Sequence, residues 1–211
     1  MKQNLCKTLL AAALSLTVFL PVPVLASVQK DGVHITILHT NDMHARVMDG
    51  DDNGSSLGMA WIAGAIRAQK DKDEDTLALD AGDTFHGMPI INISKGANMA
   101  QLMNLAGYDA MTPGNHDFNY GAERLQELAG MLNFPVLSAN LVDKEGKGYV
   151  FRPYKSFVLD GVSIAVVGLS TPETAYKTSP ANVKDVRFLD PVVVAKQLVP
   201  ELRKTHDVVI G

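Results

Sequence analysis

From Val33 onward the sequence predicts an α/β layered domain with a mixed sheet. Three observations carry this. Short β-branched apolar runs alternate with segments whose apolar residues recur at helical spacing. An Asp160-Gly161 pair separates two apolar runs, a hairpin signal that adds an antiparallel pair to the sheet. Finally, 46% of the 211 residues are hydrophobic and 20% are charged, ordinary globular usage that supports a buried core and argues against disorder.

Taken in order, Val33 to Thr40 (VHITILHT) reads as a strand running into Asn41-Asp42, and the polar stretch Gly50 to Ser56 as a loop. Met59, Ile62, Ala63 and Ile66 share one helical face, so a helix is expected from Leu57 to about Lys70. Thr76 to Asp80 (TLALD) is a short strand. Met99, Leu102, Met103 and Ala106 mark a second helix stopped by Gly107. Strands follow at Tyr108 to Thr112 and at Val136 to Ala139, with a helix through Leu125, Leu128 and Leu132 between them. Val150 to Leu159 and Val162 to Leu169 are the hairpin arms. Asp190-Pro191 is an N-cap and first-turn pair for a last helix, which Pro200 should kink or shorten. Val208 to Ile210 begins another strand. The methionines fall on helix faces as core filler.

The first residues read as an export signal, residues 1–26. Lys2 and Lys7 precede a short apolar run from Leu9 to Leu20. Pro21 and Pro23 break it, and Val24-Leu25-Ala26 fits cleavage before Ser27. The alternative is an uncleaved N-terminal anchor, but the run is short for a span, so no stable membrane span is expected after cleavage. The expected location is periplasmic or extracellular, with cell-envelope association allowed. The sole cysteine, Cys6, lies in that signal. The mature chain is therefore expected to have no thiol nucleophile, Cys-ligated zinc or iron-sulfur centre. A formal net charge of -4 and the lack of a basic block argue against a nucleic-acid polymer as partner. A small anionic substrate is compatible, because a bound cation can supply positive charge locally.

Three short motifs each follow an expected strand: Asp42-Met43-His44, Gly82-Asp83, and Gly114-Asn115-His116-Asp117. Crevices at the carboxyl ends of strands are where open α/β sheets bind ligands, so these distant motifs can converge there. Asp42 and His44 can reach one ion. The two carboxylate oxygens of Asp83 can bridge two ions. Asn115 offers a carbonyl oxygen to the second, and Gly82 and Gly114 supply turn freedom. Sulfur-free N/O ligation suits Mn²⁺, Zn²⁺, Fe or Mg²⁺ rather than Cu⁺, and Ca²⁺ is admitted. Two divalent ions roughly 3.5–4 Å apart could activate a water for attack on phosphate, with His116 donating a proton to the leaving alkoxide. For each residue taken singly, strand-end capping is the plainer reading; the convergence of all of them favours the metal site. His39 and His86 are expected around the ligands rather than among them, His86 being equally placed to face solvent. Asp80 and Asp117 are expected to support turns. His206 is rejected as a ligand, since at about 3.3 Å per residue its place at the opposite strand end puts it well over ~13 Å from the site.

ILHTNDMHAR, LDAGDTFHG and TPGNHDFNYG resemble the first three signature blocks of the calcineurin-like metallophosphoesterases, and within them the secreted 5'-nucleotidase and cyclic-nucleotide phosphodiesterase branch. The resemblance runs from about Val33 to the end. It implies an α/β-β/α sandwich. It also implies Asp42 and His44 on the first metal, Asp83 bridging, Asn115 on the second, and His116 acting on the phosphate or leaving group. The implied substrate is a small nucleotide, with 2',3'-cyclic nucleotides or nucleotide sugars as alternatives and a thiosulfate ester as a remoter one. The sequence departs from the family at two points. Where the nucleotidases often carry Asp three residues after the block's His, Asn119 stands here. It can hydrogen-bond an imidazole but cannot stabilise its protonated form by charge, which could favour a cyclic diester. The family's later T-H and G-H-x-H blocks and its C-terminal substrate domain do not occur. The expectation is thus that residues 27–211 form the N-terminal part of the domain, incomplete at the C-terminus. The alternative to an enzyme is an inactive fragment or a binding module.

Overall fold

The computed structural model describes residues 32–48 and 57–211. The signal reading over residues 1–26 and the loop read over 50–56 lie outside the described residues. The architecture is set by β2 (Thr76–Asp80), which pairs in parallel with β1 (Thr36–Thr40) on one side and β3 (Ala110–Met111) on the other. Because strand side chains alternate, β2 feeds two different cores. Ala78 joins the cluster built by α1 (Met59–Lys72), α3 (Ala97–Ala106) and α4 (Ala122–Met131), through Met59, Ile66, Met99, Met103, Leu125 and Leu128. Leu77 and Leu79 face the other way, toward a second sheet.

That second sheet is mixed. β5 (Tyr154–Leu159) and β6 (Val162–Val167) form the hairpin, and β8 (Val208–Ile210) pairs in parallel with β6. The hairpin turn is the one Asp-Gly favours: Asp160 (φ 42°) and Gly161 (φ 78°) both lie in the left-handed region. β6 alternates as β2 does. Ile164 and Val166 meet Leu77, Ala110 and Leu137 between the sheets, whereas Ala165 and Val167 turn outward to α6 (Pro191–Leu202) through Leu202, with Val194 and Leu198 beside them. Helices, sheet, sheet and helix thus stack as the expected α/β-β/α sandwich. The Asp190 carboxylate accepts from the Val192 and Val193 amides at 2.8 and 3.3 Å and so caps α6. The helix runs through Pro200 and ends at Leu202.

Several boundaries tighten. The first strand starts at Thr36 rather than Val33, and the third shrinks to Ala110–Met111. Val136 to Ala139 is not a strand. The Leu137 amide donates to Met111 in the first sheet, and the Ala139 amide to Gly168 beside the second. A segment crossing between two sheets cannot run along either, so only isolated bridges form there. The nearby strand is instead β4 (Leu141–Asp143), antiparallel to β7 (Val186–Phe188). Short helices at α2 (Pro89–Asn92) and α5 (Thr174–Lys177) were not expected. Pro at the start of α2 marks it, and Thr171-Pro172 and Ser179-Pro180 flank α5 with start-and-stop signals. No helix among the described residues is long and apolar enough to cross a membrane.

Candidate metal centre

β1, β2 and β3 end side by side, and the three motifs leave from those ends. The β1–β2 ladder continues past the strands: the Asp42 amide donates to Gly82, His44 to Asp83 and Ala45 to Thr84. The loop after β3 is drawn in by contact between glycines. A Cβ on Gly82 would stand 2.2 Å from the Gly114 nitrogen, and one on Gly114 would stand 2.3 Å from Asp83 Oδ1. No other residue allows this approach. The His116 amide then donates to Asp83 Oδ1 at 2.7 Å.

Ligand atoms of His44, Asp83 and His116 consequently lie within 4.8 Å of one another. The imidazoles of His44 and His116 meet edge to face, with ring centroids 5.0 Å apart. Asp42 stands at the rim: its Oδ1 is 3.8 Å from His44 Nε2, and its Oδ2 accepts from Asn41 at 2.7 Å. Asn115 is half-buried beside His116. With Oδ1 of Asp83 accepting from a backbone amide, Oδ2 accepts no hydrogen bond from the described residues. Imidazole nitrogen, carboxylate oxygen and the adjacent carboxamide make a hard N/O donor set that fits a divalent cation.

The backbone bears strain here that composition did not disclose. Asp42 (φ 51°), His44 (φ 45°), Ala45 (φ 60°) and Asp83 (φ 58°) all adopt left-handed conformations without being glycine. Such residues cost of order 1 kcal/mol each and persist where surrounding contacts over-determine them. Gly82 (φ 95°) takes a positive φ as expected, and these four residues share the turns with it.

The ladder holds Asp42, His44 and Ala45, and two buried carboxylates brace the Gly82–Phe85 turn against which it runs. Asp117 is fully buried and receives four backbone amides, from Asp83 and Gly114 on Oδ2 and from Thr84 and Phe85 on Oδ1, at 2.8–2.9 Å. Burial pushes its carboxyl above the usual range, and the amides of Phe85, Gly114 and Thr84 oppose that. A proton on it would find only donors around it. Asp80 accepts from the Gly82 amide and the Thr84 hydroxyl on Oδ1 and from the Thr40 hydroxyl on Oδ2 at 2.6 Å. Thr40 in turn meets the Tyr108 hydroxyl at 2.8 Å. Burial first, and the neighbouring Asp117 charge next, push the Asp80 carboxyl up to about 7 against those hydrogen bonds. Burial also raises the Tyr108 phenol.

The Asp80 shift carries a stability prediction. Unfolded, the carboxyl titrates near ~4; folded, it holds its proton to about 7. The folded state therefore binds more protons in that window, and stability falls as pH rises through it, by about 2–3 kcal/mol between ~pH 5 and ~pH 8. In Asp80→Asn the carboxamide NH₂ donates to Thr40, which donates on to Tyr108. Denaturant unfolding of this variant should lose the Asp80 part of that fall, leaving only the slope contributed by the raised Asp117 and the lowered His86. An equal slope in both proteins would remove Asp80 as the cause.

His86 and Asn119 sit together beside the cluster. The Asn119 amide nitrogen lies 3.0 Å from Nδ1 of His116 and 3.1 Å from Nδ1 of His86. The two rings are nearly parallel, 6.1 Å apart, and Tyr120 packs on His86 at 5.2 Å. Burial, then the neighbouring His116 and His44, lower the His86 pKa. His39 is exposed and faces elsewhere, lining a groove of about 290 Å³ between the sheets with Leu79, Leu137, Val166 and Ile210. His206 bonds Ser156 Oγ at 2.8 Å, on the second sheet. Thr40, Tyr108, Thr178 and Asn182 escaped the sequence reading; nothing in their local pattern distinguishes them, because they act through contacts far along the chain.

Residues 35–210 match the calcineurin-like phosphoesterase family. The chain belongs to that family. It is 36% identical over 215 residues to protein UshA of Yersinia enterocolitica, an alignment covering 100% of this chain and 39% of that protein. It is 37% identical over 177 residues to a Vibrio parahaemolyticus 5'-nucleotidase, covering 82% of this chain and 31% of the relative. Among solved structures, the NAD nucleotidase of Haemophilus influenzae superposes with a TM-score of 0.72 at 31% identity, over 81% of this chain and 32% of that one. The calcineurin-like phosphoesterase YfkN of Bacillus subtilis gives 0.71 at 27% identity, over 84% and 60%. The chain thus spans under two fifths of the curated relatives' length and carries a phosphoesterase domain.

Proposed function

We propose that this phosphoesterase domain belongs to an exported hydrolase of the 5'-nucleotidase type, using two divalent cations to release phosphate from nucleoside monophosphates. The observation that carries the reading is the convergence of His44, Asp83 and His116 at the ends of three parallel strands. Asp42 and Asn115 stand at its edges. Asp42 and His44 would hold one cation, Asp83 would be shared, and Asn115 would serve the second. Bound there, the cations would neutralise phosphoryl charge and make water a nucleophile at neutral pH. His116, held by its amide to Asp83 and by its ring to Asn119, would orient the phosphate or the leaving oxygen. The N-terminal reading supports export to the periplasm or beyond, and the formal net charge of -4 without a basic block supports a small-molecule substrate over a nucleic-acid polymer.

One observation favours a second reading. Asn119, rather than a carboxylate, meets Nδ1 of His116, so that contact brings no charge to the ring. Substrates that ask less of a general acid, such as 2',3'-cyclic nucleotides or nucleotide sugars, fit that site. A binding module without turnover is the remaining alternative.

The test is phosphate release by the purified protein after chelation, with Mn²⁺ returned, on AMP, a 2',3'-cyclic nucleotide and a nucleotide sugar. Metal-dependent release from AMP at the highest kcat/KM supports the 5'-nucleotidase reading. Preference for either of the others moves the substrate assignment. No release from any of them would leave the binding-module reading.

A further inference from the structure

Behind the pair His86 and His116 lies a third layer of polar side chains. Thr178 ends α5 and is buried. Its hydroxyl donates to Asn119 Oδ1 at 3.0 Å. Asn182 Nδ2 donates to the Asn119 backbone carbonyl at 2.9 Å and reaches Thr178 Oγ1 at 3.5 Å. A hydroxyl has one hydrogen. With the Asn182 amide directed at Thr178 Oγ1, that hydrogen is available for Asn119, which defines Oδ1 as the accepting end of the carboxamide. The other end is then the NH₂ group, and its two hydrogens face two ring nitrogens, Nδ1 of His116 and Nδ1 of His86. An imidazole nitrogen that accepts a hydrogen bond carries no proton, so each neutral ring keeps its hydrogen on Nε2.

We propose that Thr178 is a positioning residue: through Asn119 it orients His86 and His116 together, so that both present an Nε2–H donor to oxygens of the phosphoester. His86 thereby becomes a second donor beside His116. The rings hang from one amide nitrogen and lie within 9° of parallel, so a change at Thr178 reaches both at once. The inference rests on the proposed phosphoester chemistry for its kinetic consequence only, because ring orientation is a property of the metal-free protein.

The test compares Thr178→Val, which keeps shape and removes the hydroxyl, with Thr178→Ser, which keeps the hydroxyl. Residues supporting a site from behind typically contribute 10–100-fold. In Thr178→Val, kcat on the best of the three substrates should fall by about that factor while KM stays within about threefold. Thr178→Ser should recover most of the loss. Histidine ¹⁵N spectra of the metal-free protein provide the second readout. Two rings should show Nε2–H in the parent and in Thr178→Ser, and Thr178→Val should convert one or both to mixed tautomers. Unchanged kcat in Thr178→Val, or Nδ1–H on both rings in the parent, would overturn the proposal. If the parent hydrolyses none of the substrates, the proposed function fails, and the spectra alone decide the role of Thr178.

Discussion

Asp83→Asn should lose at least about 10³-fold in metal-dependent hydrolysis while remaining folded, a loss worth ~4 kcal/mol of transition-state stabilisation. Asn is the informative replacement. It tolerates the left-handed backbone that Asp83 adopts (φ 58°). Its carbonyl oxygen can still accept the His116 amide, which now sits 2.7 Å from Oδ1. What it removes is the negative charge that two cations would share. Asp83→Ala should lose the activity too, and also about 1–3 kcal/mol of stability, since the His116 amide loses its acceptor and alanine is strained at positive φ. Circular dichroism and denaturant midpoints check folding; phosphate release with Mn²⁺ checks chemistry. Full activity in Asp83→Asn would eliminate Asp83 as a shared ligand.

Asp117→Ala should be the most destabilising single change at the site. Four backbone amides converge on that carboxylate, and its surroundings are closed to solvent. Each amide left without a partner costs roughly 1–3 kcal/mol, and breaking a buried charged hub typically costs about 3–5 kcal/mol in total. For a domain of this size that lowers the melting temperature by on the order of 10 °C. Asp117→Asn should fall between, because one end of its carboxamide would point N–H groups at N–H groups. The same amides belong to the loops that carry Asp83 and His116, so metal affinity should fall along with stability. A loss below about 1 kcal/mol in Asp117→Ala would show that water replaces the carboxylate without penalty.

The sequence disclosed the architecture wherever a segment's own pattern decides its fate. Thr76 to Asp80 reads as a strand and is one, with the same bounds, because period-two apolar faces are needed by cores on both sides. Asp160-Gly161 and Asp190-Pro191 performed as turn and cap for equally local reasons. Val136 to Ala139 misled because its apolar residues serve two sheets in succession rather than one ladder. β4 and β7 are three residues each, too short to show a period. At the site, the motifs supplied Asp42, His44, Asp83, Asn115 and His116, and the folded chain brings His44, Asp83 and His116 within ligand distance of one another. The groups that hold them in place were less visible. The reach of Asp117 spans 32–34 residues and that of Thr178 spans 59, distances over which no sequence spacing reports contact. The strain at Asp42, His44 and Asp83 was equally hidden, since aspartate and histidine tolerate positive φ more often than most residues but only the ladder beyond β1 imposes it here.

The central claim is that His44 and Asp83, with Asp42 and Asn115 at their edges, hold a cation beside His116, and Mn²⁺ binding tests it without reference to any substrate. Calorimetric or electron-paramagnetic titration of the chelator-treated protein should show saturable Mn²⁺ binding that Asp83→Asn weakens at least about tenfold. Binding of equal strength in the parent and in Asp83→Asn, or no saturable binding in the parent, would contradict the assignment of this centre.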